Sequence, residues 1–464
     1  MRFSGICGIM NLLFCIREDD LMQQILTPNA SILTILRKVK PSQEPYRMMK
    51  YCIQQPTEDG TLLFNVATRE LLLLSQEEFA RVTELPELRD RWFAVPESFN
   101  EKASVDTLRW VLENTGKKKK NITGYTILTT TDCNARCFYC YELGRSRIPM
   151  SEETAHKAAA CIRDRCGGEA VNITWFGGEP LFNQPAMDTI CRDLREFGIS
   201  FTSSAVSNAY LFDEAAVKKA GELWNLQKVQ VSLDGTEDVY NKSKAFIYRE
   251  GSAYQVVLSN IGRLLDAGIK VTVRLNFDLY NAADLETLVE ELAQRFGKKE
   301  GFSVYAHHLF EESQTMKDIH ESDQWQTRYD ALHKLEDKME ALGISGRAGI
   351  KNKLRLHHCM ADNDACVTIV PTGHMGVCEH HSEDEFIGHV DTESLDGAVR
   401  AQWKERSAPI PECDCCPYYP DCIFLKKCST NNACFPQYRQ SRLNRLKKAM
   451  LEEYKKWKSA AEAL

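Results

Sequence analysis

From residue 123 onward the chain repeats one unit: a short apolar run, a loop, an amphipathic helix. Strand-like runs occupy residues 125–130, 171–176, 200–207, 229–233, 271–277 and 303–309. Helical spacing fills the intervals, as in Val257, Ile261, Leu264 and Leu265, or Leu285, Leu288, Val289 and Leu292, each set on one helix face. One helix start is marked by Ser151, an N-cap residue followed by Glu152 and Glu153 at the positive end of the helix dipole. Parallel strands joined by helical crossovers curl into a full or partial barrel, with reactive groups gathered at the C-terminal ends of the strands. The expected fold class is therefore α/β, with a partial (β/α)6 TIM-like barrel over residues 121–320.

The flanks differ in pattern. With 464 residues, 43% of them hydrophobic, the chain has material for two or three cores. Residues 1–45 read as an N-terminal extension. Their apolar run, 5–16, is too short to span a bilayer and lacks a small-residue cleavage site, so no membrane segment and no signal peptide are expected. Residues 46–75 alternate like two or three short strands with a turn at Glu58-Asp59-Gly60, and helical stretches follow near 76–82 and 104–114. A small α+β domain is expected over 46–116, and the lysine run 117–120 reads as a linker or a solvated charge patch. After about residue 343 the alternation stops. A helical bridge is expected over 321–355, a cysteine-rich domain over 356–440 and a basic amphipathic helix, packed on the surface, over 441–464. The net charge of −7 excludes a general nucleic-acid binder, which needs a basic surplus.

Eighteen cysteines are far more than a chain of this kind needs. Without a secretory context they point to reduced thiols in the cytoplasm, available for metal rather than for disulfides. The sequence TTTDCNARCFYCYEL follows directly on the first barrel strand and brings Cys133, Cys137 and Cys140 onto one loop. Three thiolates hold three corners of a 4Fe–4S cube and leave one iron open, and open coordination marks a catalytic metal. A zinc site completed by a distant residue is the other reading. The preceding strand, and Tyr139 immediately before the last cysteine, weigh against it.

This loop resembles the signature of the radical S-adenosylmethionine (SAM) enzymes. The resemblance implies that the unique iron is chelated by the amino and carboxylate groups of the cofactor's methionine part. Cleavage of the sulfonium would then yield a 5′-deoxyadenosyl radical that takes a hydrogen atom from the substrate. Tyr139 is implied among the cofactor contacts. FGGEP, residues 176–180, resembles the family's glycine-rich motif, so Gly177, Gly178, Glu179 and Pro180 are expected to meet the methionine amino group. Ser207 and Asn208 end the third strand where relatives often show Thr-Asn-Gly. VSLDG, residues 231–235, offers Ser232 and Asp234 as polar contacts, and Arg274 in VTVRLNF is expected to pair with the cofactor carboxylate. One stretch departs from the pattern: where relatives carry His-Asp and then Arg, this chain reads Tyr240-Asn241-Lys242-Ser243-Lys244.

The C-terminal region resembles the SPASM extension of peptide-modifying radical enzymes, which holds two auxiliary 4Fe–4S clusters. By position, Cys359, Cys366, Cys378 and Cys428 would ligate the first, and Cys413, Cys416, Cys422 and Cys434 the second. Cys415 is a possible substitute for Cys428, because the interval from Cys422 to Cys428 is longer than in relatives. Three plus four plus four thiols make eleven of the eighteen, and three 4Fe–4S clusters with SAM are the expected cofactors. Glu379, directly after Cys378, stands where some relatives carry an acidic base. The resemblance implies a maturase of ribosomally made peptides of the sactipeptide type, forming a thioether from a cysteine. Its partners would be a precursor peptide whose leader is gripped by residues 46–115, and an external flavodoxin or ferredoxin as electron donor, with no nucleic acid and no membrane. The alternatives are an anaerobic sulfatase-maturing enzyme, which makes formylglycine, and a zinc-stabilised binding scaffold without radical chemistry.

Overall fold

The structure, a computed structural model, describes residues 22–36, 42–115, 121–142, 144–248, 250–309, 324–346, 349–380, 385–428 and 431–462. The apolar run 5–16, Cys7, Cys15 and the lysine run 117–120 lie outside these residues.

Strand β1 (Gln23–Leu26), β3 (Cys52–Thr57), β4 (Gly60–Asn65) and β5 (Glu70–Leu74) form an antiparallel sheet in the order β1-β5-β4-β3, beside a two-stranded ribbon of β2 (Tyr46–Met48) and β6 (Ala94–Pro96). Both faces of the larger sheet are covered. Leu63, Leu72 and Leu74 share a core with Val105 and Leu108 of the helix Glu101–Asn114. Leu62, Phe64, Leu71 and Leu73 face the C-terminal helix Pro436–Glu462 through Met450 and Tyr454. This explains why β5 reads Glu-Leu-Leu-Leu-Leu instead of alternating: a strand buried on both faces has no solvent side to mark.

The barrel strands are β7 (Gly124–Thr130), β8 (Val171–Gly177), β9 (Phe201–Ser207), β10 (Leu226–Leu233), β11 (Lys270–Phe277) and β12 (Phe302–His308). They pair in chain order and all in parallel. Helices cover the outer face, where Ile127, Trp175, Val229, Val231 and Val273 are fully buried. The Ser151 cap forms, accepting from Thr154 N at 3.1 Å, and the helix closes at Gly167 in the left-handed region with φ 61°. The barrel stays open. Strand β7 pairs instead with β13 (Cys366–Ile369), which continues antiparallel into β14 (His374–Gly376) and β15 (Gly388–His389). The outer edge of β12 is met by residues 344–346, through Val304 N donating to Ile344 O and Gly346 N to Val304 O. Among the described residues no helix is long and apolar enough to cross a membrane.

Met450 is fully buried between the C-terminal helix and the N-terminal sheet. Met450→Ala is expected to destabilise that unit by about 2–5 kcal/mol, seen as an earlier first transition in urea denaturation.

Candidate functional site

The cysteine loop leaves the C-terminal end of β7 and is held from two sides. Beneath it, Gly177 has φ 118°, and a Cβ there would lie 2.2 Å from Thr130 O; at Gly178 it would lie 2.3 Å from Asp132 O. The two glycines therefore let the end of β8 press against the backbone of the cysteine loop. Glu179 N donates to Asp132 O at 3.0 Å and Gly178 N to Thr130 O at 3.0 Å. The Glu179 carboxylate is fully buried and accepts from Ser207 Oγ at 2.8 Å, Asn208 N at 2.8 Å and Leu181 N at 3.2 Å. Burial pushes its pKa up to about 7 against the pull of these donors. Pro180 starts the short helix that follows and accepts from Thr129 Oγ1 at 2.9 Å. Asn208 donates to Asn134 Oδ1 at 2.6 Å and approaches Cys133 Sγ at 3.7 Å.

On the other side lies a buried polar knot. Tyr139 Oη donates to Asp234 Oδ2 at 2.6 Å, and receives Lys244 Nζ at 2.6 Å and Asn276 Nδ2 at 3.1 Å. Asn276 also reaches Asp234 Oδ1 at 2.9 Å, and Lys244 reaches Ser232 Oγ at 2.9 Å. Tyr139, Ser232 and Asp234 were legible in the motifs. Lys244 and Asn276 were missed, although the stretch 240–244 after VSLDG, which departs from the family pattern, was the signal that could have found the first.

The three loop thiols lie within electrostatic reach of one another, and burial raises each pKa, that of Cys133 to about 12. Desolvated thiols held side by side become thiolates only when a cation compensates them, so the donor set suits a metal centre. Two buried donors, Asn134 Nδ2 and Arg274 Nε, find no acceptor among the described residues and are available to a bound group. Arg274 faces the barrel lumen, with Nη2 3.3 Å from His307 Nδ1. His307 is reached by solvent yet ringed by protein; burial, and then Arg274, lower its pKa to about 4. The loop and the knot thus fit a cluster with one open corner and a charged cofactor beside it.

Of the nine C-terminal cysteines, Cys413, Cys416, Cys422 and Cys434 line one cavity together with Tyr418, Phe424 and Tyr438. Burial, joined by the neighbouring sulfurs, raises Cys422 to about 12 and Cys434 to about 11. Cys359, Cys378 and Cys428 influence one another electrostatically. Cys366 stands apart at the start of β13: a Cβ on Gly124 would lie 2.7 Å from its Sγ, and its charged neighbours are Arg400 and Asp362. Cys415 is exposed and donates to Glu412 O at 3.5 Å. None of the described cysteines is disulfide-bonded. Among the described residues no three His, Cys, Asp or Glu side chains converge as ligands of a single metal ion. Thiols spread around a cavity suit a polynuclear cluster better than one zinc ion.

The two regions meet at the barrel mouth. Glu379 acts electrostatically on Tyr141 of the cysteine loop as well as on Cys359 and Cys378. The His380 ring lies 4.2 Å from that of Tyr141. Burial lowers the pKa of His380, with Arg145 and Arg274 acting in the same direction and Glu379 opposing.

The sequence model of the Radical SAM superfamily matches residues 127–292, so the barrel is a radical SAM domain. That superfamily binds SAM and a 4Fe–4S cluster. Probable GTP 3′,8-cyclases are similar in sequence: that of Halobacterium salinarum is 27% identical over 189 residues, 38% of this chain and 49% of that protein. That of Archaeoglobus fulgidus is 30% identical over 158 residues, 33% of this chain and 48% of that protein. The chain thus spans about half the length of the curated relatives it matches. The fold is similar to native anSMEcpe with bound AdoMet and Cp18Cys peptide, at TM-score 0.51 and 14% identity, over 74% of this chain and 100% of that one.

Glu179→Gln replaces the acceptor of three buried donors with a group that is itself half donor. A loss of about 1–3 kcal/mol is expected, read from urea denaturation of the purified protein.

Proposed function

We propose that this protein is a radical SAM enzyme that modifies a ribosomally made peptide, forming a thioether between a cysteine thiol and a peptide carbon. The observation that carries the reading is the contact between the two cysteine regions: the His380 ring lies 4.2 Å from that of Tyr141 in the three-cysteine loop, and Glu379 acts on Tyr141 as well as on Cys359 and Cys378. Bound at these places, SAM and three 4Fe–4S clusters would supply hydrogen-atom abstraction and take up electrons.

The residues have separate tasks in this reading. Cys133, Cys137 and Cys140 hold the first cluster. Arg274 offers its unpartnered Nε to the cofactor carboxylate, and Tyr139, Ser232 and Asp234 stand at the same strand ends. Glu379 takes the proton of a substrate thiol. Cys413, Cys416, Cys422 and Cys434 hold one auxiliary cluster; Cys359, Cys366, Cys378 and Cys428 hold the other, with Cys415 as the substitute for Cys428. The polar lumen, lined by Thr126, Thr174, Ser204, Gln230, Thr272 and Ser303, leaves room for a substrate segment. The N-terminal domain holds the leader as an added strand. The edge strands of its sheet are β1 and β3, and the leader would pair with one of them. The protein of similar fold binds AdoMet and the Cp18Cys peptide, which supports a peptide substrate. The cyclase relatives match over about half of their own length, and their substrate is not carried over.

Anaerobic reconstitution should yield about twelve irons per chain and dithionite-dependent 5′-deoxyadenosine, from three cubes of four irons. Replacing Cys133, Cys137 and Cys140 together by Ala should abolish cofactor cleavage and leave the auxiliary absorbance in place. Undiminished cleavage refutes the assignment, and zinc in place of iron supports the binding scaffold. On a candidate peptide, loss of two hydrogens with a masked thiol means a thioether, whereas an aldehyde on an unlinked residue means formylglycine.

Arg109 supplies a separate test of the second auxiliary site. It is buried and donates to Pro420 O at 3.0 Å, Tyr419 O at 2.7 Å and Cys422 O at 2.9 Å, pinning the cysteine cavity to the N-terminal domain. Arg109→Ala should lose about four of the irons, one cube, with SAM cleavage retained.

A further inference from the structure

Lys244 is the last residue of the helix Glu237–Lys244 and is only 3% exposed. Its ammonium spends its donors on Tyr139 Oη at 2.6 Å and Ser232 Oγ at 2.9 Å, and lies 3.4 Å from Asp234 Oδ1. The backbone around it is tied to the cysteine loop as well: Arg136 N donates to Lys244 O at 2.8 Å, and Ile247 N donates to Asn134 O at 2.9 Å. Between these ties Ala245 turns the chain in the left-handed region with φ 45°. A side chain held at both ends in this way has almost no freedom to move its charge.

That charge acts on the loop. The ammonium is hydrogen-bonded to Tyr139, which lies between Cys137 and Cys140, and the Lys244 carbonyl to Arg136 N, directly before Cys137. The cation therefore stands against the segment that carries two of the three thiols. Inside a protein such a field is far less screened than in water. The counter-charge is Asp234, itself fully buried, 3.4 Å from the ammonium.

We infer that Lys244 is a positioning residue for the cysteine loop, a fixed buried cation beside Cys137 that raises the reduction potential of the cluster held there. The inference rests on the loop holding a 4Fe–4S cluster, as proposed above. Adding an electron makes the cluster more negative, a nearby cation stabilises that state, and a nearby carboxylate destabilises it. The Lys244–Asp234 pair therefore sets the potential by the difference between its two ends.

The test is an anaerobic redox titration of the full-length, reconstituted protein, following by EPR the cluster whose spectrum changes when SAM is added. Lys244→Met should titrate at a more negative potential than the wild type, because the cation is lost and Asp234 is left uncompensated. Lys244→Gln, which keeps a donor for Tyr139 without the charge, should shift in the same direction. Asp234→Asn should shift the opposite way, an antisymmetry that a purely structural role would not produce. Wild-type potential in either neutral variant with its cluster loaded overturns the inference. Should neither neutral variant load the cluster, Asp234→Asn decides, and an unchanged or lowered potential there overturns it as well. A wild type without any SAM-responsive cluster is a different failure, that of the functional reading itself.

Discussion

The parallel pairing of β7 with β13 is the contact on which the site depends. Residues 124–127 meet residues 366–369 in register, so a strand from the cysteine-rich region becomes a member of the barrel sheet. A flexible linker would let the two halves move against each other; a shared ladder of backbone hydrogen bonds does not. The pairing also seats Cys366 against Gly124, where a Cβ would collide with the thiol. From β13 the chain turns through β14 and returns to the mouth at Cys378 and Glu379, within electrostatic reach of the loop that leaves β7. One strand thus fixes the distance between two groups of sulfur that lie more than two hundred residues apart in the chain.

The barrel was readable because its period is strong: each of its strands is an apolar run closed by a loop and followed by a helix with one apolar face. What escaped the sequence was pairing at the margins. Strand β13 is only four residues long, and nothing local says that it should join β7. Strand β1 lies in what read as an N-terminal extension, yet its partner is β5, some fifty residues on. The run of leucines in β5 gave no alternation because the helix that covers its second face is supplied by the far end of the chain. Such contacts are decided by long-range packing, which a local window cannot contain.

The site divides in the same way. The three cysteines and the glycine-rich turn were found by spacing, but their mutual support was not. The glycines read as an approach to a ligand, and the structure adds that they let β8 press on the cysteine loop. Glu179 read as a polar contact, and it is also the acceptor that ties the end of β9 to the turn after β8. Lys244 could not be assigned from sequence because its role depends on where a helix ends relative to a loop one hundred residues earlier. Motif reading finds the groups that recur, while groups that answer to a particular geometry emerge only from the fold.

A closed barrel of this kind fills its interior with layers of branched apolar side chains. Here the inward positions include Thr126, Thr174, Ser204, Gln230, Thr272, Ser303 and Tyr305, and six of these are satisfied in pairs: Thr174 with Ser204 at 3.2 Å, Thr272 with Ser303 at 3.0 Å, Tyr305 with Gln230 at 2.9 Å, while Thr126 Oγ1 donates to Met360 Sδ at 3.2 Å. Small hydroxyls paired across neighbouring strands leave space that large aliphatic groups would occupy. The sheet must then be held from its outer face, which is where the fully buried residues lie. Stability and access are in this way assigned to opposite faces of the same strands, and alternation along each strand makes the division possible.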